Sequence, residues 1–367
     1  PPPPPLFQAE DGIRDATGGL VGSEMCIRDR HKAAREAVVL IDQTSFNKFE
    51  IGGPGALAFL DHLSANNIDK PVGSVTYTQL CNRRGTIEAD ITIARVAEEK
   101  FLLVTGTAFG LHDSQWIRKH MPADGSVIFH DVTSALAVIN VIGPNSRKLL
   151  EKISRGDISN ENFRFSKCKQ IAVGHAPVTV LRVTFVGELG YELYIPTEFA
   201  CHVYESLWDA GQDLGIKNAG YRVINSLHFE KGYANWGSDL TPEYTPYDAG
   251  LGFCVALNKG DFIGREALAK IKAEGPKWRL CSFTIDADQP VMLRGSEPIT
   301  YKGKVIGTTT GGGYGYTVGK TIAYGYVPVA DAKHDDDYEI EVYKEVYPAK
   351  REANRALYDP ERKKILS

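Results

Sequence analysis

The chain has 367 residues, 43% hydrophobic and 24% charged, a globular composition with room for two or three domains. A formal net charge of −4 supplies no basic field for nucleic acid. No run of about 18 apolar residues exists, so no membrane-spanning helix is expected.

Six cysteines (Cys26, Cys81, Cys168, Cys201, Cys254 and Cys281) are scattered without a C-x-x-C pair. That spacing suits reduced, mostly buried thiols better than a disulfide framework.

Residues 1–30 read as a non-native or disordered leader. Pro1 to Pro5 is a proline run. Two near-copies of one phrase follow, Gly12-Ile13-Arg14-Asp15 and Cys26-Ile27-Arg28-Asp29. The stretch has neither an amphipathic period nor a signal-peptide layout. It is similar to translated sequencing-adapter sequence; a natural disordered leader is the other reading. The folded unit is expected to start near His31 and to divide into residues 31–274 and 275–360.

Lys32 to Leu40 predicts a short helix, Phe46 to Ile51 a strand and Ala56 to Leu63 a helix. Gly52-Gly53-Pro54-Gly55 lacks a full G-x-G-x-x-G and holds a proline, so it reads as a plain turn. From Tyr77 an aromatic strand leads through the turn Asn82 to Gly85 into a second strand. Ile87, Ala89, Ile91 and Ile93 share one face of that strand. Asp90 points to the opposite side, mid-strand, where aspartate is disfavoured. An acid in such a place calls for a task or a partner. Phe101 to Thr105 predicts a strand, Leu111 to His120 an amphipathic helix, and Ala137 to Ile142 a buried strand stopped by Gly143-Pro144.

Val178 to Val183 is β-branched and apolar, and Glu192 to Pro196 alternates like a half-buried strand. Between them Thr184-Phe185-Val186-Gly187-Glu188-Leu189-Gly190-Tyr191 is a glycine-punctuated turn. Its acids have two readings. One is a hairpin with solvated glutamates. The other is a carboxylate at the mouth of a sheet, holding a flat heterocycle by two parallel N–H donors. Phe199, Val203 and Leu207 then mark a helix with Thr197 as its expected N-cap, and Ile224 and Leu227 mark the next. Mixed elements with hairpin-like pairs argue an α+β fold.

A linker-like break falls at Glu274-Gly275-Pro276. Beyond it, Leu280 to Ile285, Ile299 to Tyr301, Val305 to Thr310, Thr321 to Val327 and Tyr338 to Tyr343 are short strands with glycine turns. They predict a small antiparallel β-barrel. Gly311 to Thr321 nearly spells a P-loop, but Tyr314 stands where a glycine is needed and a strand follows instead of a helix. No G-x-S-x-G elbow, H-E-x-x-H or paired His/Cys metal spacing occurs. Chemistry here would rest on positioned carboxylates and a bound cofactor that carries the reactive atom.

Tyr77 to Asp90 and Thr184 to Glu192 together resemble the folate-binding aminomethyltransferase family, the T-protein of the glycine cleavage system. Asn225 to Leu240, Thr245 to Gly252, Asp261 to Leu268 and Tyr301 to Gly307 look like the C-terminal half of the flavin-linked dimethylglycine and sarcosine dehydrogenases. The resemblance covers about residues 31–360.

It implies folate-binding domains around a central channel plus the barrel, with tetrahydrofolate as cofactor. Glu192 would hold the pterin edge, with Glu188 structural. Asp90 would be the catalytic acid beside N5 and N10, with Tyr77 packed against the folate. Phe185 and His228 stand where the family often has tyrosine and arginine, and Trp236 joins them as a cofactor-binding position.

The implied reaction transfers a one-carbon unit, as iminium or formaldehyde from dimethylglycine or sarcosine, to give 5,10-methylenetetrahydrofolate. FAD would belong to a domain upstream in the same natural chain. The compartment would be cytoplasm in a bacterium and mitochondrial matrix in a eukaryote. Alternatives are a stand-alone aminomethyltransferase, a folate-dependent demethylase, or a non-catalytic regulator of the same fold. The K-G-C-Y motif of the folate-binding tRNA-modification relative is not found.

Overall fold

The computed structural model of the protein describes residues 20–367. The proline run and the first repeat of the leader lie outside them. The first helix, α1, runs Leu20–Glu36, so the expected start at His31 falls inside a continuous helix. Ile27 packs against the cluster that holds Ala33, Ala34, Val39 and Ile41. Arg30 donates from Nε to the Asn218 carbonyl at 2.9 Å. Residues 20–30, assigned to the leader in the sequence reading, thus form the first turns of α1. The helix expected to reach Leu40 stops at Glu36 because the β-branched pair Val38-Val39 opens a strand.

In chain order the next elements are β1 (Val38–Asp42), β2 (Asn47–Gly52), α2 (Ala56–Leu63), β3 (Val75–Cys81), β4 (Ile87–Ala97) and β5 (Lys100–Thr105). Then come α3 (Gly110–His120), β6 (Ile128–Asp131), β7 (Leu136–Ile142), α4 (Ser146–Ile153), β8 (Ser154–Arg155) and β9 (Lys167–Val173). They are followed by β10 (Ala176–Arg182), β11 (Gly190–Pro196), α5 (Ala200–Gly211), β12 (Ile216–Ala219), α6 (Tyr221–Lys231) and α7 (Arg265–Glu274). Thr197 does not cap α5: it opens a short 3-10 turn, and its hydroxyl donates to the Ser134 carbonyl at 2.8 Å.

The strands before α7 form two sheets. A five-stranded antiparallel sheet has the order β3-β4-β5-β2-β6. A seven-stranded sheet has the order β12-β1-β7-β11-β10-β9-β8, antiparallel except for the β1–β12 pair. Each sheet is backed by helices. Ile91, Ile93 and Leu103 pack on Leu60 and Leu63 of α2 and Ile117 of α3. Val141, Leu193 and Val180 pack on Leu149 of α4 and Leu207 of α5. The other faces look at each other: Val75, Ala94 and Leu102 meet Val138, Leu181 and Tyr194. Beyond that contact, α1 and α6 cover the rest of the seven-stranded sheet's inner face through Ala34, Ile224 and Leu227 on Ile41 and Ile142.

After α7, six strands close a barrel: β13 (Trp278–Ile285), β14 (Pro298–Tyr301), β15 (Lys304–Gly315), β16 (Lys320–Pro328), β17 (Tyr338–Val342) and β18 (Glu345–Arg351). A short helix, α8 (Lys363–Leu366), ends the chain described. The glycine run of β15 lets α6 approach the strand closely. A Cβ on Gly313 would lie 3.3 Å from the Phe229 ring, and one on Gly315 would lie 2.9 Å from Glu230 Cγ, so α6 lies close on this strand. All six cysteines are free. No described helix is long and apolar enough to cross a membrane.

Candidate functional site

Alternation along β4 sends Ala89, Ile91 and Ile93 to the helix-backed core, and Asp90 with Ala94 to the inner face. Gln79 is the register partner of Asp90 on β3, and its Nε2 donates to Asp90 Oδ1 at 2.8 Å. Tyr77, two residues earlier on the same face, also hydrogen-bonds Asp90. Burial pushes the Asp90 carboxyl up to about 7, although both of these bonds pull it down. The partners of Asp90 are an amide and a phenol. A recessed, half-buried acid near neutrality can exchange a proton.

Glu192 lies on β11. The Tyr194 hydroxyl, two residues on, donates to Glu192 Oε2 at 2.7 Å. Burial raises the Glu192 pKa, and the Tyr194 bond opposes the rise. Tyr194 packs with Ala94 and Val75 across the gap between the sheets. Glu192 shares the face of Tyr194, Asp90 that of Ala94, and Tyr77 that of Val75. The two carboxylates and Tyr77 therefore occupy the inner faces of sheets that look at each other.

Phe185 stacks on His228 at 5.2 Å and on Tyr233 at 5.8 Å between ring centroids. His228 is buried, and its Nδ1 lies 2.9 Å from the Tyr233 carbonyl, which fixes the proton on that nitrogen. Burial holds the imidazole down at about 4, so it is neutral near pH 7. His228 also contacts Phe229 and Tyr324. Those two rings belong to an apolar cluster that includes Tyr77 and Trp236. Trp236 leans on Phe109 at 5.4 Å, and its buried indole N–H has no partner among the described residues. The anticipated residues thus fall into three contacting groups: Asp90 with Tyr77, Phe185 with His228, and Glu192 with Tyr194. The aromatic cluster bridges the first two.

Glu188 stands apart, and neither acid of the turn is a solvated hairpin glutamate. Glu188 is 1% exposed, 3.3 Å from Arg35 Nη1, and accepts from the Tyr358 hydroxyl. Arg35 reaches on to Glu230 at 2.9 Å. Glu230 also meets His31 Nε2 at 3.3 Å and takes the backbone N–H groups of Thr317 and Val318 at 2.7 and 3.1 Å. This network ties α1, the β10–β11 turn, α6, the barrel and the C-terminal segment together.

Sequence reasoning missed Gln79, Tyr194, Tyr233 and Asn140. Tyr194 carried a legible signal, an aromatic hydroxyl two residues after Glu192 on the same strand face. Gln79 and Asn140 carried none, because strand register decides what lies beside them. Asn140 of β7 is the cross-strand partner of Glu192.

Two family models match the chain: the GCVT N-terminal domain over residues 21–259 and the glycine cleavage T-protein C-terminal barrel domain over residues 279–359. Rat mitochondrial dimethylglycine dehydrogenase is 39% identical over 331 residues, which is 90% of this chain and 38% of that enzyme. The chain thus spans under two fifths of that relative's length. An aminomethyltransferase of Symbiobacterium thermophilum is 34% identical over 85% of this chain and 84% of its own. The crystal structure of the glycine cleavage system aminomethyltransferase T from Bartonella henselae shares the fold, with a TM-score of 0.81 and 24% identity over 91% of this chain and 90% of that one. With both domains matched in order, the chain belongs to the glycine cleavage T-protein family, with an aminomethyltransferase-like fold related to the dimethylglycine and sarcosine dehydrogenases.

Proposed function

We propose that the chain binds tetrahydrofolate between its two sheets and loads a one-carbon unit onto it, forming 5,10-methylenetetrahydrofolate. The observation that carries this reading is the pair of recessed acids, Asp90 and Glu192, both raised by burial and both on inner faces. Buried donors and acceptors left open beside them fit a polar heterocycle: Gln79 Oε1 and Trp236 Nε1 have no partner among the described residues.

When bound, tetrahydrofolate supplies the nitrogen nucleophiles that take up the carbon. Glu192 accepts the parallel N–H donors of the pterin edge. Phe185, stacked on neutral His228, offers a flat apolar wall. It provides neither the hydroxyl nor the cation that the family often places at these two positions. Asp90 takes the proton that nitrogen loses on attacking an electrophilic carbon, and its pKa of about 7 lets it return that proton to departing water or amine. Gln79 and Tyr77 hold the carboxylate for this exchange.

The carbon source would be an iminium or formaldehyde released from dimethylglycine or sarcosine by an FAD domain in the same natural protein. This arrangement is drawn from the kinship with the dehydrogenases.

Titration calorimetry with tetrahydrofolate, and methylene-folate formation from formaldehyde after subtracting the uncatalysed condensation, test the proposal together. Saturable binding with a rate above background is expected. Absence of binding would overturn it. Binding without rate enhancement would leave a folate-binding regulator.

A further inference from the structure

We propose that Asn140 is a specificity-determining residue of the same site, selecting a heterocycle that carries a 2-amino group. The inference rests on the folate reading above. Asn140 sits mid-strand on β7, 2% exposed, and its Oδ1 has no hydrogen-bond partner among the described residues. A buried carbonyl oxygen without a donor is unfavourable, so a site that keeps one calls for a donor from outside the chain.

Position says which donor. Asn140 and Glu192 are direct cross-strand partners, so their side chains leave the same face about 5 Å apart. On that face Val138 lies to one side, in the cluster that meets the five-stranded sheet. Ile142 lies to the other, in the cluster that holds Phe185. Asn140 therefore stands where the cover of the five-stranded sheet gives way to the cover of α1 and α6, beside the acid that receives the pterin edge.

A carboxylate that binds a 2-amino-4-oxo ring takes the ring N–H and one hydrogen of the 2-amino group. The second 2-amino hydrogen points sideways and needs a neutral acceptor next to the carboxylate. The Asn140 carbonyl oxygen is that acceptor. The role is one of binding and selection, and no proton transfers through it.

Asn140→Leu keeps the branched four-atom outline, with larger methyl groups in place of the amide atoms, and removes the orphaned oxygen. In the full chain it is expected to melt at or above the wild-type temperature and to bind tetrahydrofolate about tenfold more weakly, the scale of one neutral hydrogen bond. A tetrahydrofolate analogue with methyl in place of the 2-amino group closes the cycle. Wild type and Asn140→Leu should bind it equally, since the donor is gone. Asn140→Ala, which is smaller and has no acceptor, guards against misfolding of the leucine variant and should show the same pattern. Equal binding of tetrahydrofolate by wild type and either variant overturns the role of Asn140 and leaves the folate reading standing. Wild type that binds no tetrahydrofolate overturns both.

Discussion

Among the recessed acids of this chain, Glu188 and Glu230 are buried and Asp90 and Glu192 half-buried, and the partners of the two pairs differ. Glu188 and Glu230 are met by Arg35, His31, a phenol and two backbone amides. Burial pushes Glu230 up, but the bonds and charges of His31 and Arg35 outweigh it and hold the carboxyl down at about 2. Among the described residues Asp90 and Glu192 have amide and hydroxyl partners alone, and burial raises both. Glu230, met by both His31 and Arg35, stays charged, whereas burial raises Glu188 in spite of Arg35 and the Tyr358 bond. An acid matched by neutral donors is left with capacity for a ligand or a proton. The cation-matched pair is also the deeper one, so accessibility and partner charge together set the two pairs apart.

Removing a cation from the matched group should give the largest effect. Arg35→Met leaves two buried carboxylates without their shared counter-charge and is expected to cost about 3–5 kcal/mol in urea unfolding. A loss under about 1 kcal/mol would show that the network is solvated enough to do without it.

Asp90→Asn should slow one-carbon capture roughly 100-fold while leaving tetrahydrofolate affinity close to wild type. The same variant tests the electrostatics without any ligand. Between about pH 4 and pH 7 the folded chain keeps a proton on Asp90 that the unfolded chain has lost, so this group makes stability fall as pH rises. Glu230 works in the other direction: its contribution is present above the ordinary value of 4.5 and fades as pH drops toward 2. Urea midpoints measured across this range should lose the Asp90 slope in Asp90→Asn and keep the acid-side loss. An unchanged slope would place the Asp90 carboxyl in water.

Glu192→Gln swaps an acceptor oxygen for a donor that faces the donors of the pterin. Calorimetry should show binding weakened by about 2 kcal/mol. The smallest effect is expected at the amino terminus. Deleting residues 1–30 removes Ile27 and Arg30 and should destabilise by about 1 kcal/mol, whereas deleting residues 1–19 tests the segment outside the described helix. Identical melting for both deletions would mean that the first turns of α1 add nothing.

Much of the fold was legible because its signals are local. Asp90 announced itself as an acid on the wrong face of an isoleucine strand, and five of the six barrel strands read as apolar runs between glycines. The last barrel strand did not: Glu345 to Arg351 contains Pro348 and buries only Ala349, so it carries no strand pattern of its own. The amide neighbours of the two acids were hidden for a different reason. Gln79 comes beside Asp90, and Asn140 beside Glu192, only through strand register. The cationic network is the extreme case, with Arg35 separated from Glu188 and Glu230 by 153 and 195 positions.

That network crosses the boundary near Gly275. Glu230 and Glu188 lie before it, while the amides of Thr317 and Val318 and the Tyr358 hydroxyl lie after it. Severing the chain there would leave Glu188 and Glu230 on one fragment and the amides and phenol that meet them on the other, so each half is expected to depend on the other for its stability. Heat or denaturant should therefore melt them in one cooperative transition, with the barrel reporting the same midpoint as the sheets.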